Sequence, residues 1–133
     1  PEIYTLSLHD ALPIYYPINV FTLDENGKEH EFIGNAVFIF YQSLSHRAHI
    51  AKFGWGIIPG YQGQGVGKLL LHSSLKIARE FGNIKKIQTE VVAENLPAIS
   101  LYLKQGFKVE GCRIKSWAIE EKLYDTYVLG YLL

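Results

Sequence analysis

Four glycines fall within nine residues, Gly60-Tyr61-Gln62-Gly63-Gln64-Gly65-Val66-Gly67-Lys68, and the two flanking segments have different periods. Before them, His49–Ile58 reads as a strand that ends in an apolar stretch. After them, Val66, Leu70, Ile77 and Phe81 form a helical stripe, widened by Leu69 and Ala78. Glycine adopts positive φ without steric cost and lets N–H groups approach a ligand with no Cβ in the way. A helix N-terminus adds roughly half a positive charge from its dipole. A strand feeding a helix through such a loop therefore makes a phosphate or pyrophosphate cradle, with Lys68 as a point charge. A plain tight turn explains the same glycines. Two nucleotide-loop patterns fail on spacing. A P-loop, GxxxxGK[ST], finds Gln62 at its first glycine and Leu69 at its hydroxyl. A dinucleotide fingerprint, GxGxxG, finds GxGxG after a strand that is at least the third.

The remaining elements predict a mixed α+β layer in the order β-β-β-α-β-α-β-β. Ile18–Leu23 and Phe32–Tyr41 are strands joined through Asp24-Glu25-Asn26-Gly27, whose Asn-Gly pair is a strong hairpin signal. The helix opening at Val66 is expected to run to Phe81, with Gly82 as its C′ glycine. Ile84–Val92 is a strand with Ile87, Thr89 and Val91 on one face and Gln88, Glu90 and Val92 on the other. Asn95 is placed as a helix N-cap with Pro97 in the first turn, and that helix stops at Gly106. Phe107–Arg113 and Leu123–Leu132 are two further strands, joined by a charged connection.

Composition narrows the function classes. With 133 residues the chain fits one domain, and 48% hydrophobic against 20% charged residues suits a globular core. Thirteen basic and thirteen acidic side chains give no bulk charge for nucleic acid or an anionic membrane. One cysteine excludes an internal disulfide and a cysteine-based zinc site, and the five histidines show neither HxxxH nor HExxH spacing, so no metal is expected. No apolar run approaches a membrane span and no signal peptide is read, so a cytoplasmic setting is the default.

The pattern QxxGxG, Gln62 to Gly67 after Ile57-Ile58-Pro59, resembles the acetyl-coenzyme A signature of the GNAT superfamily of N-acetyltransferases. Glu90-Val-Val-Ala-Glu-Asn95, Pro97-Ala98-Ile99, Leu101-Tyr102 and Gly106-Phe107 are similar to the second motif of that family, in the right order and on the right elements. The resemblance implies a GNAT-like acyl-CoA N-acyltransferase fold, a central, mostly antiparallel sheet with helices. It implies acetyl-coenzyme A as co-substrate and direct acetyl transfer to a primary amine: a small molecule, an amino acid or a protein N-terminus. Backbone groups near Ile57 and Ile58 would pair with the pantetheine arm. Gln62, Gly63, Gln64, Gly65, Val66, Gly67 and Lys68 would hold the pyrophosphate, and Asn95 would contact the coenzyme. Tyr102 would protonate the departing thiolate, where an ordinary reading makes it a core aromatic. A coenzyme A-binding module without turnover, and a partner domain whose glycine turn is structural, remain as alternatives.

The acceptor side is less legible. A primary amine is protonated at pH 7 and needs a base. The strand His49–Ile58 lacks the carboxylate that some family members use there, so the resemblance points to Glu90 instead, directly or through water. Cys112 reads as a small buried strand residue rather than a nucleophile, since nothing beside it in sequence activates a thiol. Glu120 and Glu121 are either an attraction for a cationic amine or a solvated charged loop.

Residues 2–14, Glu-Ile-Tyr-Thr-Leu-Ser-Leu-His-Asp-Ala-Leu-Pro-Ile, resemble the read-through translation of a common DNA-sequencing adapter at every position. Residues 1–14 are thus expected to be a non-native segment and 15–133 a partial GNAT-like domain, lacking the first strand and first two helices of the fold. The acceptor wall would then be incomplete. An uncovered apolar sheet face should weaken stability or drive association, a homodimer included.

Overall fold

The computed structural model describes residues 14–40 and 46–133. The adapter-like stretch therefore lies, but for Ile14, outside the described residues. The strands are β1 (Ile14–Leu23), β2 (Glu29–Phe40), β3 (Ile50–Ile57), β4 (Lys86–Val92), β5 (Lys108–Ile119) and β6 (Lys122–Leu132); the helices are α1 (Val66–Ala78) and α2 (Leu96–Lys104). They form one six-stranded sheet in the order β1-β2-β3-β4-β6-β5. Every neighbouring pair is antiparallel except β3–β4. The fold is the expected α+β layer.

The β1–β2 hairpin turns where the Asn-Gly signal lies. Gly27 takes φ 77°, and Asp24 Oδ1 accepts from the Asn26 and Lys28 N–H groups at 2.8 and 2.9 Å. The β3–α1–β4 crossover makes the single parallel contact, as a helical connection between parallel strands does. That contact is short. Ile50, Ala51 and Lys52 pair with Lys86, Ile87 and Gln88, and there the register ends. β3 continues to Ile57 and β4 to Val92, so the two strands part in the middle of the sheet.

Both helices pack on one face. Leu70, Leu71, Leu75 and Ala78 of α1 and Tyr102 of α2 share a core with Ala36, Phe38, Ala51, Phe53, Ile87 and Leu129 of the strands. Alternation along β4 puts Ile87, Thr89 and Val91 into this core, while Lys86, Gln88, Glu90 and Val92 are half-buried on the other face. Among the described residues no helix covers that second face.

Three local expectations are corrected. The α1 helix ends at Ala78 with Arg79 as C-cap, and Gly82 is not among the positive-φ glycines, so it is no C′ glycine. The connection expected after Arg113 is mostly strand. β5 runs on to Ile119, interrupted by a bulge between Arg113 and Trp117. There Lys115 takes φ 51° and its N–H donates to Asp125 Oδ1 at 2.9 Å. The turn itself is Glu120-Glu121, both at positive φ (48° and 66°), the conformation of a type I′ hairpin made without glycine or asparagine. Cys112 is exposed, not buried, because β5 is the sheet edge and all twelve of its residues are exposed.

Candidate active site

The glycine loop is held to the scaffold by its side chains. The Tyr61 hydroxyl donates to Glu31 Oε2 at 2.6 Å, a bond that pushes the tyrosine pKa up from its ordinary value. Gln62 Nε2 donates to the Ile57 carbonyl at 3.1 Å, and Gln64 Nε2 to the Gly60 carbonyl at 2.8 Å. With both glutamine side chains turned inward, Gln62 and Gln64 offer a ligand mainly backbone. Gly60, Gly63 and Gly65 take φ of 96°, 76° and 80°, and a Cβ on any of them would meet nothing within 4 Å. Gly67 differs: its Cβ would lie 2.9 Å from Trp55 Cη2, so here glycine lets α1 start against the indole.

Helix α1 begins with Gly65 as N-cap, with no side-chain cap and no acidic residue in its first turn. The first N–H groups of a helix have no intrahelical partner. Val66, Gly67 and Lys68 thus start a positive helix end on an open glycine shelf, and Lys68 is exposed beside it. This arrangement fits a pyrophosphate.

The parting of β3 and β4 begins one residue beyond the Lys52–Gln88 pair. There the Thr89 hydroxyl donates to the Phe53 carbonyl at 2.8 Å, a side chain taking the place of a backbone ladder bond. The Ile58 N–H donates to the Ile33 carbonyl at 2.9 Å, so it is committed to β2. By antiparallel alternation, the backbone groups of Trp55 and Ile57 point the other way, into the opening. The Ile57 carbonyl receives Gln62. Of the two backbone positions proposed from sequence, Ile57 faces the opening and Ile58 does not.

Tyr102 closes the floor of this opening. The α2 helix ends in a Schellman motif: the Gly106 N–H donates to Leu103 O at 3.1 Å and the Phe107 N–H to Tyr102 O at 3.0 Å, with Gly106 at φ 99°. The motif sets Phe107 edge-on to Tyr102, with ring centroids 4.9 Å apart. Gly106-Phe107 thereby fixes the tyrosine it follows. The Trp55 ring centroid lies 6.3 Å from that of Tyr102. Tyr102 is 2% exposed, and its hydroxyl lies 3.4 Å from Thr89 Oγ1. Burial pushes its pKa up to about 12, against smaller opposing contributions from Thr89 and Trp55. It is both the buried core aromatic and a hydroxyl that keeps its proton. Replacing Thr89 by valine is expected to cost about 1 kcal/mol in a denaturant titration, because the Phe53 carbonyl loses its donor.

Glu90 lies on the opposite face of β4 from Thr89 and Tyr102. Its Oε1 accepts from the hydroxyls of Thr126 and Ser116, and its Oε2 is 3.6 Å from Arg113 Nη1. Asn95 Oδ1 accepts from the Ala98 N–H at 3.3 Å, the expected N-cap. The loop and Ile57 line the parting of β3 and β4 and Tyr102 floors it, whereas Glu90 is reached from its far side. Sequence reading missed Trp55, Thr126 and the bracing role of Thr89. Trp55 carried the one available signal, a large aromatic between Gly54 and Gly56.

The model of the Acetyltransferase (GNAT) family matches residues 5–107. The L-amino acid N-acetyltransferase AaaT of Escherichia coli is 29% identical over 90 residues, 67% of this chain and 55% of that protein. The spermidine N(1)-acetyltransferase of Vibrio cholerae is 32% identical over 81 residues, 61% of this chain and 46% of that protein. The chain thus spans about half the length of these curated relatives. A solved acetyltransferase of the GNAT family from Streptococcus pneumoniae superposes with a TM-score of 0.72 at 32% identity, covering 81% of this chain and 62% of the other. The match runs through the glycine loop, both helices and the parted strands, and so the chain belongs to the GNAT acetyltransferase family.

Proposed function

We propose that residues 15–133 carry the coenzyme half of an N-acetyltransferase that moves an acetyl group from acetyl-coenzyme A to a primary amine by direct transfer. The observation that carries this reading is the parting of β3 and β4, with an open glycine shelf at one end and a protonated, buried tyrosine at its floor. Acetyl-coenzyme A supplies the activated acyl group as a thioester. In the balanced reaction a C–N bond forms, the C–S bond breaks, the amine loses a proton and the thiolate gains one. Gly63, Gly65, Val66, Gly67 and Lys68 bind the pyrophosphate through backbone N–H groups and one ammonium. The backbone of Ile57 orients the pantetheine arm, and Asn95 contacts the coenzyme from the start of α2. Tyr102 Oη holds a proton throughout the neutral range and serves as the donor, not the base. Glu90 is the proton acceptor for the amine.

A coenzyme A-binding module without turnover is the second reading. It draws on Glu90, whose Oε1 already accepts two hydroxyl donors. Two measurements separate the readings. Acetyl-coenzyme A should raise Tm by several degrees at concentrations well above Kd, because a ligand that binds only the folded chain stabilises it. Free thiol should then appear on addition of a panel of primary amines. No thermal shift would remove both readings, whereas a shift without thiol release would leave the binding module.

A further inference from the structure

Thr89 has one hydroxyl proton and two oxygens within reach of it. The Phe53 carbonyl lies 2.8 Å from Thr89 Oγ1 and the Tyr102 hydroxyl 3.4 Å from it. One proton cannot serve both. At rest it belongs to the carbonyl, because 3.4 Å is long for a bond between two hydroxyls. The Tyr102 hydroxyl then faces a lone pair of Thr89 and keeps its own proton. Thr89 is 5% exposed and Tyr102 2%, so solvent has little access to either oxygen. The balance changes when Tyr102 acts as an acid. Its O–H bond breaks, the proton goes to the departing thiolate, and a negative charge stays on Tyr102 Oη. Burial penalises that charge, which is why the pKa is pushed up to about 12, and the Thr89 hydroxyl acts in the opposite direction. A hydrogen bond to a charged oxygen is shorter and roughly twice as strong as one to a neutral carbonyl. Rotation about the Thr89 Cβ–Oγ1 bond moves the proton from one acceptor to the other with no shift of the backbone.

We propose that Thr89 is a positioning residue for acetyl transfer, whose hydroxyl donates to the Phe53 carbonyl at rest and turns to the Tyr102 oxygen as that oxygen gives up its proton. The inference rests on the acetyltransferase reading and on Tyr102 as its acid. It gives the bridge across the first gap between β3 and β4 a second use. The hydroxyl that ties the parted strands together also stabilises the charge left on the acid. While the phenolate lasts, the Phe53 carbonyl goes without its donor. The phenolate then takes a proton from solvent, and the Thr89 hydroxyl returns to Phe53.

The test is a double-mutant cycle on the full chain, with thiol release as the assay. Thr89→Val removes the hydroxyl and Thr89→Ser keeps it. Thr89→Val should lower kcat about tenfold, the scale of one charge-assisted hydrogen bond, with KM for acetyl-coenzyme A nearly unchanged. Thr89→Ser should recover most of that loss. The losses from Thr89→Val and Tyr102→Phe should not add. The double variant should stand about a hundredfold below the parent rather than about a thousandfold, since no phenolate forms without the tyrosine. A purely bracing hydroxyl would cost the same in both backgrounds. The second measurement needs no turnover. Tyr102 is replaced by a fluorinated tyrosine, whose phenol ionises at lower pH, and its phenolate is followed by absorbance. Thr89→Val should raise the midpoint by about one pH unit, a tenfold change, and Thr89→Ser should return it. Additive kcat losses overturn the proposal, as does a midpoint that Thr89→Val leaves in place. A parent that releases no thiol with any amine overturns the acetyltransferase reading instead, and the phenol titration distinguishes the two failures.

Discussion

Tyr102→Phe is expected to lower kcat for acetyl transfer about a hundredfold, the lower end of what a positioned acid contributes, while affinity for acetyl-coenzyme A stays nearly unchanged. The reason lies in where the hydroxyl sits. Tyr102 is 2% exposed, in ring contact with Phe107 and Trp55, and the Schellman turn at Gly106 brings Phe107 back against it. Phenylalanine keeps that packing and removes only the proton donor. Thr89 already donates to the Phe53 carbonyl, so the variant strands no donor on that side. A pH series checks the assignment independently of turnover. The folded pKa of Tyr102 is about 12 against an ordinary 10.0, so the folded state binds the phenolic proton more tightly than the unfolded chain does. That contribution is complete below pH 10 and is lost as pH rises from 10 to 12, roughly 2–3 kcal/mol in all. The parent should therefore lose more stability than Tyr102→Phe over that window. A variant that turns over at the parental rate would place the acid elsewhere; equal alkaline losses would mean the hydroxyl is less buried than the packing indicates.

Gly65→Val should abolish the thermal shift produced by acetyl-coenzyme A. Gly65 is the N-cap of α1 at φ 80° and ψ 3°, and nothing of the protein lies within 4 Å of where its Cβ would stand. A side chain there obstructs only what comes to the shelf from outside. A β-branched residue also has to take a left-handed conformation, at about 1–2 kcal/mol. Gly65→Asn separates the two effects, because asparagine tolerates that conformation while still adding a side chain. We expect Gly65→Asn to unfold close to the parent in denaturant yet bind the coenzyme about tenfold more weakly, a loss of about 1.4 kcal/mol. An asparagine variant with parental affinity would move the pyrophosphate away from this residue. The same substitution logic does not extend to Gly67, whose missing Cβ makes room for Trp55 and not for a ligand.

Much of this was legible one element at a time. The Asn-Gly hairpin, the glycine loop between a strand and a helix, the two faces of β4 and the Asn95 cap all follow from local chemistry. Each concerns residues within a few positions of one another, where φ preferences and side-chain period decide the outcome. The β5–β6 hairpin failed the same approach. Its turn residues, Glu120 and Glu121, carry no turn signal, and the bulge at Lys115 is set by Asp125 on the partner strand. The exposure of Cys112 was equally out of reach, because edge or centre is a property of strand order.

The sequence by itself determined the glycine loop between a strand and a helix, since glycine's freedom at positive φ and a helix N-terminus are local facts. Only the tertiary structure decided where β3 and β4 part, that Thr89 bridges the first gap between them, and that Glu90 faces away from Tyr102. It also gathered Arg47, Lys52 and Arg113 around one cleft. Those depend on register across a crossover and on which strands become neighbours: Phe53 and Thr89 are 36 positions apart and Arg47 and Arg113 are 66, separations that no local preference encodes.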